Sequence, residues 1–429
     1  MPWLFLAVSV SGALFTLNAF RPSTRWQLLG ISFFAAWLTG ELVLWHVAWQ
    51  AVATALFVAL GALEAWPGWL GLAITFASWA GLLFLECSAR RSSGVFEDAL
   101  QDGAARAPRN GERVPLRNVL FPLLLHDRRI ERVKNLSYGP YGRRNLLDVY
   151  RPRAWAEHGA PPGGAPVLIQ IHGGAWVIGN KGQQGLPLML QLASEGWVCV
   201  SINYRLSPRA RWPQHLVDCK RALVWVREHI AEHGGDPALV CVTGAPPGGT
   251  SQAMLALSAN EPGLQPGFED ADTAVDACIP FYGVYDFPAV FAVLKGNDRI
   301  VHRLMRMITG TTVEADPTLF AAASPMTHLR ADAPPFFVIH GAADNLVPVT
   351  QAREFVARLR AVSREQVLYA EVPNASHAFD VFHSVRTTHA VRAVGQFLAR
   401  IAARRWGEPT GEPAAATHLD AGDASRPPP

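Results

Sequence analysis

The stretch LVCVTGAPPGGTS, residues 239–251, decides the fold. A short apolar run ends on Gly244, and two glycines, Gly248 and Gly249, open the next segment. That grammar is a buried strand turning sharply into a helix. It recurs along the chain. LLDVY (146–150), VLIQI (167–171), WVCVSINY (197–204), ACIPFY (277–282), PFFVIH (335–340) and QVLYAEV (366–372) read as further strands. Residues 215–233, 351–362 and 390–403 carry apolar side chains at helical spacing. Strand–helix alternation predicts an α/β fold with a mostly parallel sheet and helices on both faces. Residues 286–323 interrupt the alternation with a helical insertion before a late strand, where a lid is expected. The chain shows no internal repeat.

Composition narrows the function. Half of the 429 residues are hydrophobic and 17% are charged, and the apolar excess lies in the first ninety. The rest suits one large domain. A net charge of +3, without a basic run interleaved with aromatics, argues against a nucleic-acid partner. Cys87, Cys199, Cys219, Cys241 and Cys278 are scattered, with no paired or metal-ligand spacing. Buried free thiols are expected, with no disulfide framework, no metal and no cofactor.

Met1 to Phe20 carries no charged side chain, 26–66 is almost entirely apolar, and 68–85 is a third apolar run. A helix crosses a bilayer in about 20 residues. The middle run is too long for one crossing and tight for two. Arg21 and Arg25 follow the first run and Arg90 and Arg91 the last, while the loop near Glu64 and Pro67 has no Lys or Arg. The positive-inside bias places both arginine pairs in the cytoplasm, which three crossings satisfy. The expected location is the inner (cytoplasmic) membrane, with the large domain facing the cytoplasm. Glu41 is expected at an interface or in a bend, and the whole segment is expected only to anchor the domain. The expected boundaries are transmembrane helices over 1–89, a linker over 90–130, the α/β domain over 131–405 and a disordered tail over 406–429.

In a parallel sheet, chemistry sits at the carboxyl ends of strands. Four such ends carry candidates. IHGGAW (171–176) places Gly173 and Gly174 after a buried strand, where free N–H groups hold an oxyanion. Asp344, in HGAADNLVP (340–348), follows a strand and can orient a histidine. His377, in VPNASHAFD (372–380), follows the last strand and can act as general base and acid. The fourth end is the opening stretch. Gly244 and Gly248 flank Pro246 with the spacing of G-x-S-x-G, the turn that presents a nucleophile.

From residue 146 to 400 the chain resembles the α/β-hydrolase esterase and lipase family, in particular its hormone-sensitive-lipase-like branch. HGGAW resembles that branch's oxyanion motif. NYRLSPRARWPQHLVDCKRALVWV (203–226) resembles the stretch after it, and GGDPALVCVTG (234–244) the approach to the nucleophile. HGAADNLVP and SHAF resemble the acid and histidine motifs. The resemblance implies Asp344 as acid, His377 as base, and Gly173 and Gly174 as oxyanion donors. It also implies an apolar ester or acyl small molecule as ligand, with the membrane as the other partner. The family pattern at the turn is G-D-S-A-G-G, whereas this chain reads Gly244-Ala245-Pro246-Pro247-Gly248-Gly249. Pro246 brings no nucleophile to the missing serine's position and fixes φ near −65°, where the turn needs a positive value. Pro247 has no N–H to complete the oxyanion hole. Thr250 and Ser251 lie further along, in the expected helix, and are expected to point elsewhere. The leading expectation is a membrane-anchored esterase-family protein severely impaired as a serine hydrolase.

Three readings follow. One is a pseudo-hydrolase that binds an apolar acyl ligand without cleaving it, for which plant gibberellin receptors are precedents of related fold. Another is direct activation of water by His377. The third is an active carboxylesterase behind an altered elbow sequence. Codons GAC TCC GCC, losing one base and gaining one nearby, turn Asp-Ser-Ala into Ala-Pro-Pro.

Overall fold

The computed structural model describes residues 1–101, 114–244, 248–293 and 298–407. Residues 245–247, Pro246 among them, and the expected tail beyond 407 lie outside the described residues.

Eight strands form one sheet in the order β1-β2-β4-β3-β5-β6-β7-β8. They are β1 (Ile130–Ser137), β2 (Leu146–Pro152), β3 (Ala165–Ile171), β4 (Val198–Ile202), β5 (Gly235–Gly244), β6 (Ala277–Pro280), β7 (Phe336–Gly341) and β8 (Val367–Val372). β1 and β2 run antiparallel to their neighbours, and β4 through β8 are parallel. β3, β4, β6 and β7 are buried at every residue, which is why they read as largely apolar runs. β1 is an edge strand whose burial alternates, with an irregularity between Val133 and Leu136. Its polar sequence hid it from periodicity.

Helices cover both faces. On one side Gln214–His229, Gly248–Leu257 and Thr350–Val362 bury residues such as Leu223, Met254 and Phe355. On the other, Leu186–Ser194 and Val385–Trp406 bury Leu192, Val394 and Phe397. The insertion between β6 and β7 is helical at Phe287–Val293, Asp298–Ile308 and Pro317–Ala322.

The N-terminal segment contains α1 (Pro2–Phe20), α2 (Trp26–Glu41), α3 (Val43–Ala59) and α4 (Trp66–Gln101). α1 and α4 are each long and apolar enough to cross a membrane, and α2 and α3 meet at a 92° bend. α1 and α4 run parallel: Trp3 packs on Trp66, Thr75 donates to Ser9 at 3.0 Å, and Phe20 packs on Phe84. α3 runs back between their ends, with Phe57 against Phe5 and His46 against Phe15.

The boundaries expected at 89 and 405 need correction. α4 continues to Gln101, because Phe96, Ala99 and Leu100 bury against the same core as the last helix. Arg90 to Gln101 is therefore helix rather than linker, and the last helix continues through Trp406. Four of the five thiols are buried and Cys87 is exposed; all five are free.

Candidate active site

The strand ends converge as the topology requires. Ile171 of β3 is the register partner of Gly244 of β5, and Gly341 of β7 that of Val372 of β8. The loops after β7 and β8 are zipped together. Ala342 N–H donates to Val372 O at 2.9 Å and Ala343 N–H to Ala375 O at 3.0 Å. This brings Asp344 and His377 into contact: His377 Nδ1 lies 2.6 Å from Asp344 Oδ2. The other carboxylate oxygen accepts the Leu346 and Val347 amides, each at 2.8 Å. His340 Nε2 lies 3.4 Å from Asp344 Oδ2 and 3.0 Å from Val347 O.

The Asp344 side chain is fully buried. Burial opposes its charge, but His377 and His340 outweigh that and hold the carboxyl well below the usual carboxylate range. With Nδ1 donating to a carboxylate, His377 keeps its basic lone pair on Nε2. The imidazole rests against Tyr282, centroids 4.5 Å apart, and Tyr282 Oη donates to Asp380. Burial pushes the Asp380 carboxyl up, against the pull of that hydrogen bond.

The loop after β3 coils tightly, with positive φ at Gly174, Ala175 and Trp176. Gly174 O accepts the Val177 and Ile178 amides. His172 stacks on Tyr204, and burial pushes its imidazole down to about 4. Its Nδ1 is 2.8 Å from Gly173 O. The expectation of two free donors needs correction. Gly173 N–H donates to Gln184 Oε1 at 2.5 Å, leaving Gly174 N–H without an acceptor among the described residues. Gln184 folds back across the loop from eleven residues downstream, a contact no sequence spacing announces.

Pro246 and Pro247 lie outside the described residues, between β5 and the helix Gly248–Leu257. The two hydroxyls that follow are engaged and buried. Ser251 Oγ accepts the Trp176 indole N–H at 3.2 Å, and Thr250 Oγ1 accepts the Val284 amide at 3.1 Å.

The N-terminal segment also packs beside the pair of Asp344 and His377. Phe33 of α2 sits edge-on to His377, centroids 6.1 Å apart, and Trp37 packs on Phe382 at 5.2 Å. Asn345, next to the acid, donates to Ser23 O at 3.0 Å. Sequence patterning gave no signal for these contacts, since an aromatic in an apolar helix reads as lipid-facing. A cleft of about 380 Å³ lined by Arg143, Arg144, Gly179, Asn180, Asn203 and Arg209 reaches the end of the β3 loop and includes neither Asp344 nor His377.

Known proteins resemble this chain in sequence and in fold. Residues 147–359 match the family described as BD-FAE. The chain is 41% identical over 419 residues to the probable carboxylic ester hydrolase LipM of Mycobacterium tuberculosis, covering 92% of this chain and 93% of that one. It is 47% identical over 287 residues to esterase LipQ of the same organism, covering 66% and 65%. Among solved structures, a truncated carbohydrate esterase from gut microbiota superposes with a TM-score of 0.54 at 23% identity, covering 63% of this chain and 96% of that one. Thermogutta terrifontis esterase 2, in its apo form, superposes at 0.51 with 24% identity, covering 62% and 94%. These two are likenesses of fold.

Proposed function

This chain belongs to the α/β-hydrolase-fold family of carboxylic ester hydrolases, and we propose that it holds an apolar acyl ester at a membrane-anchored site that has lost the serine step. One observation carries the reading. A buried acid–base pair, Asp344 and His377 at 2.6 Å, stands complete in a chain whose sequence offers neither a hydroxyl nor an N–H at positions 246 and 247.

Serine chemistry needs three things at once: a nucleophile for the acyl carbon, a base for its proton and donors for the oxyanion. His377, oriented by Asp344, supplies the base. Pro246 supplies no nucleophile. Of the expected oxyanion donors, Pro247 has no N–H and Gly173 N–H is held by Gln184, which leaves Gly174. The site is equipped to orient an ester against His377 Nε2, with no hydroxyl at position 246 to attack it. Removing the nucleophile of a triad costs on the order of 10⁶ in turnover, with a residual of about 10³–10⁴ over water left to the remaining groups.

Two apolar helices of spanning length support the membrane anchor. Arg90 follows the part of α4 against which the catalytic domain docks, where Ser88 Oγ accepts from Asn374 at 2.9 Å. The positive-inside bias then turns that domain to the cytoplasm.

The test is hydrolysis of a p-nitrophenyl acyl ester by this chain and by Ala245→Asp/Pro246→Ser/Pro247→Ala, which rebuilds G-D-S-A-G-G. The rebuilt elbow is expected to raise kcat by at least about 10⁴. Equal rates in the two proteins would overturn the reading.

A further inference from the structure

We infer that α2 lies along the membrane surface as one wall of the site's mouth, so that the ester enters sideways from the lipid leaflet; this rests on the reading of the site as one that holds an apolar ester. Chain direction comes first. α1 and α4 are parallel, with Trp3 beside Trp66 and Phe20 beside Phe84. The chain must therefore return between them, and α3 does so, with Phe57 against Phe5 and His46 against Phe15. Its 17 residues span about 26 Å, close to the roughly 30 Å of a hydrocarbon core. α1, α3 and α4 are then the three crossings. α2 meets α3 at 92° and so runs across them, at the level where α1 ends.

The side chains of α2 divide accordingly. Ser32, Ala36 and Thr39 are buried. Phe33 and Trp37, one turn apart, face the catalytic domain at His377 and Phe382. Leu28, Ile31, Phe34 and Leu38 form an exposed apolar stripe, Ile31 at 75%. A helix with an unburied apolar stripe, placed across the ends of membrane-spanning helices, lies in the interface plane. A second segment continues the platform. Trp45, near the start of α3, donates from its indole to Val119 O, and Leu116, Phe121 and Leu123 around it are exposed. Pro122 O accepts the amide of His383, next to Phe382, so this segment also borders the loop that follows His377.

The arrangement is fixed rather than incidental. Arg386, fully buried in the last helix of the catalytic domain, donates to Gly40 O at 2.8 Å and pairs with Glu41 at 3.0 Å. Ser384 donates to the other oxygen of Glu41 at 2.8 Å. The bend between α2 and α3 is thus bolted beside the catalytic loop. An ester whose carbonyl sits at headgroup depth, with its acyl chains in the leaflet, reaches His377 past Phe33 without leaving the membrane. The substrate class is a membrane-resident acyl glyceride or similar long-chain ester, rather than a water-soluble short one.

The test uses the full chain in phosphatidylcholine vesicles with two photoreactive diazirine probes, a long-chain diacylglycerol in the bilayer and a short water-soluble butyrate ester. The diacylglycerol is expected to cross-link beside His377. Ile31→Glu/Phe34→Glu, on the exposed stripe, is expected to lower that cross-linking by about tenfold while leaving the butyrate ester unchanged. If both esters bind and neither responds, entry from the leaflet is wrong and the ester-holding site stands. If neither ester cross-links in the parent chain, the ester-holding reading itself falls, and the entry route with it. A spin label at Ile31→Cys, in a Cys87→Ala background, reads position directly. Oxygen collisions exceeding those of an aqueous nickel chelate are expected, and the reverse would overturn the interfacial placement.

Discussion

Gly244 leaves no room for error at the elbow. Its φ is +152°, and a Cβ there would stand 1.9 Å from Ile171 O and 2.1 Å from the Gln252 amide nitrogen. Both neighbours are buried, so Gly244→Ala is expected to cost at least about 3 kcal/mol, read as a lowered denaturation midpoint. His172 contributes to a pH limit, together with His215 and His389, which burial pushes down to about 3 and about 4. Burial lowers the pKa of His172 from 6.5 to about 4, so the folded chain binds this proton less readily than the unfolded chain. Its contribution is fully present above pH 6.5 and is lost as pH falls through 4. The shift corresponds to on the order of 3 kcal/mol. Asp344, held low, acts in the same direction within the carboxylate range. Thermal midpoints should fall between pH 6.5 and 4, and His172→Asn should flatten that slope. At this scale the contact between Asp344 and His377 was legible, because each follows the end of its own strand. Gln184 was not: its capture of the Gly173 N–H depends on how a loop folds back, which no periodicity encodes.

Among the elements, the Glu41–Arg386 pair joins the two halves of the molecule. Both side chains are essentially buried. Breaking such a pair from one side strands a charge and costs about 3–5 kcal/mol, whereas replacing both partners costs much less. Arg386→Met alone is expected to lower the unfolding temperature sharply, and Glu41→Gln/Arg386→Met to recover most of the loss. Equal melting of single and double variants would contradict this coupling. The sequence placed Glu41 at a bend or interface because the middle apolar run was too long for one crossing. It gave no partner, since Arg386 is 345 residues away. The end of α4 was misplaced for a related reason. Arg90, Arg91 and the polar residues after them read as linker, but Phe96 and Leu100 find their core only in the folded domain.

Across the whole molecule, the parallel sheet was legible because its central strands are buried on both faces and so are mostly apolar, with only single polar residues such as Gln170 and Ser201 between. β1 escaped notice as an alternating edge strand. The packing of the N-terminal helices against His377 escaped as well, because hydropathy separates what the fold brings together. In the function proposed above, the chain keeps the sheet of its family with Asp344 as acid and His377 as base, and Pro246 takes the place of the serine. The most direct test is intact mass after exposure to a fluorophosphonate, for this chain and for Ala245→Asp/Pro246→Ser/Pro247→Ala. No adduct is expected on this chain, and one stoichiometric adduct, at residue 246, on the rebuilt one. An adduct of equal yield on the unaltered chain, at Ser251 or any other hydroxyl, would contradict the proposed function.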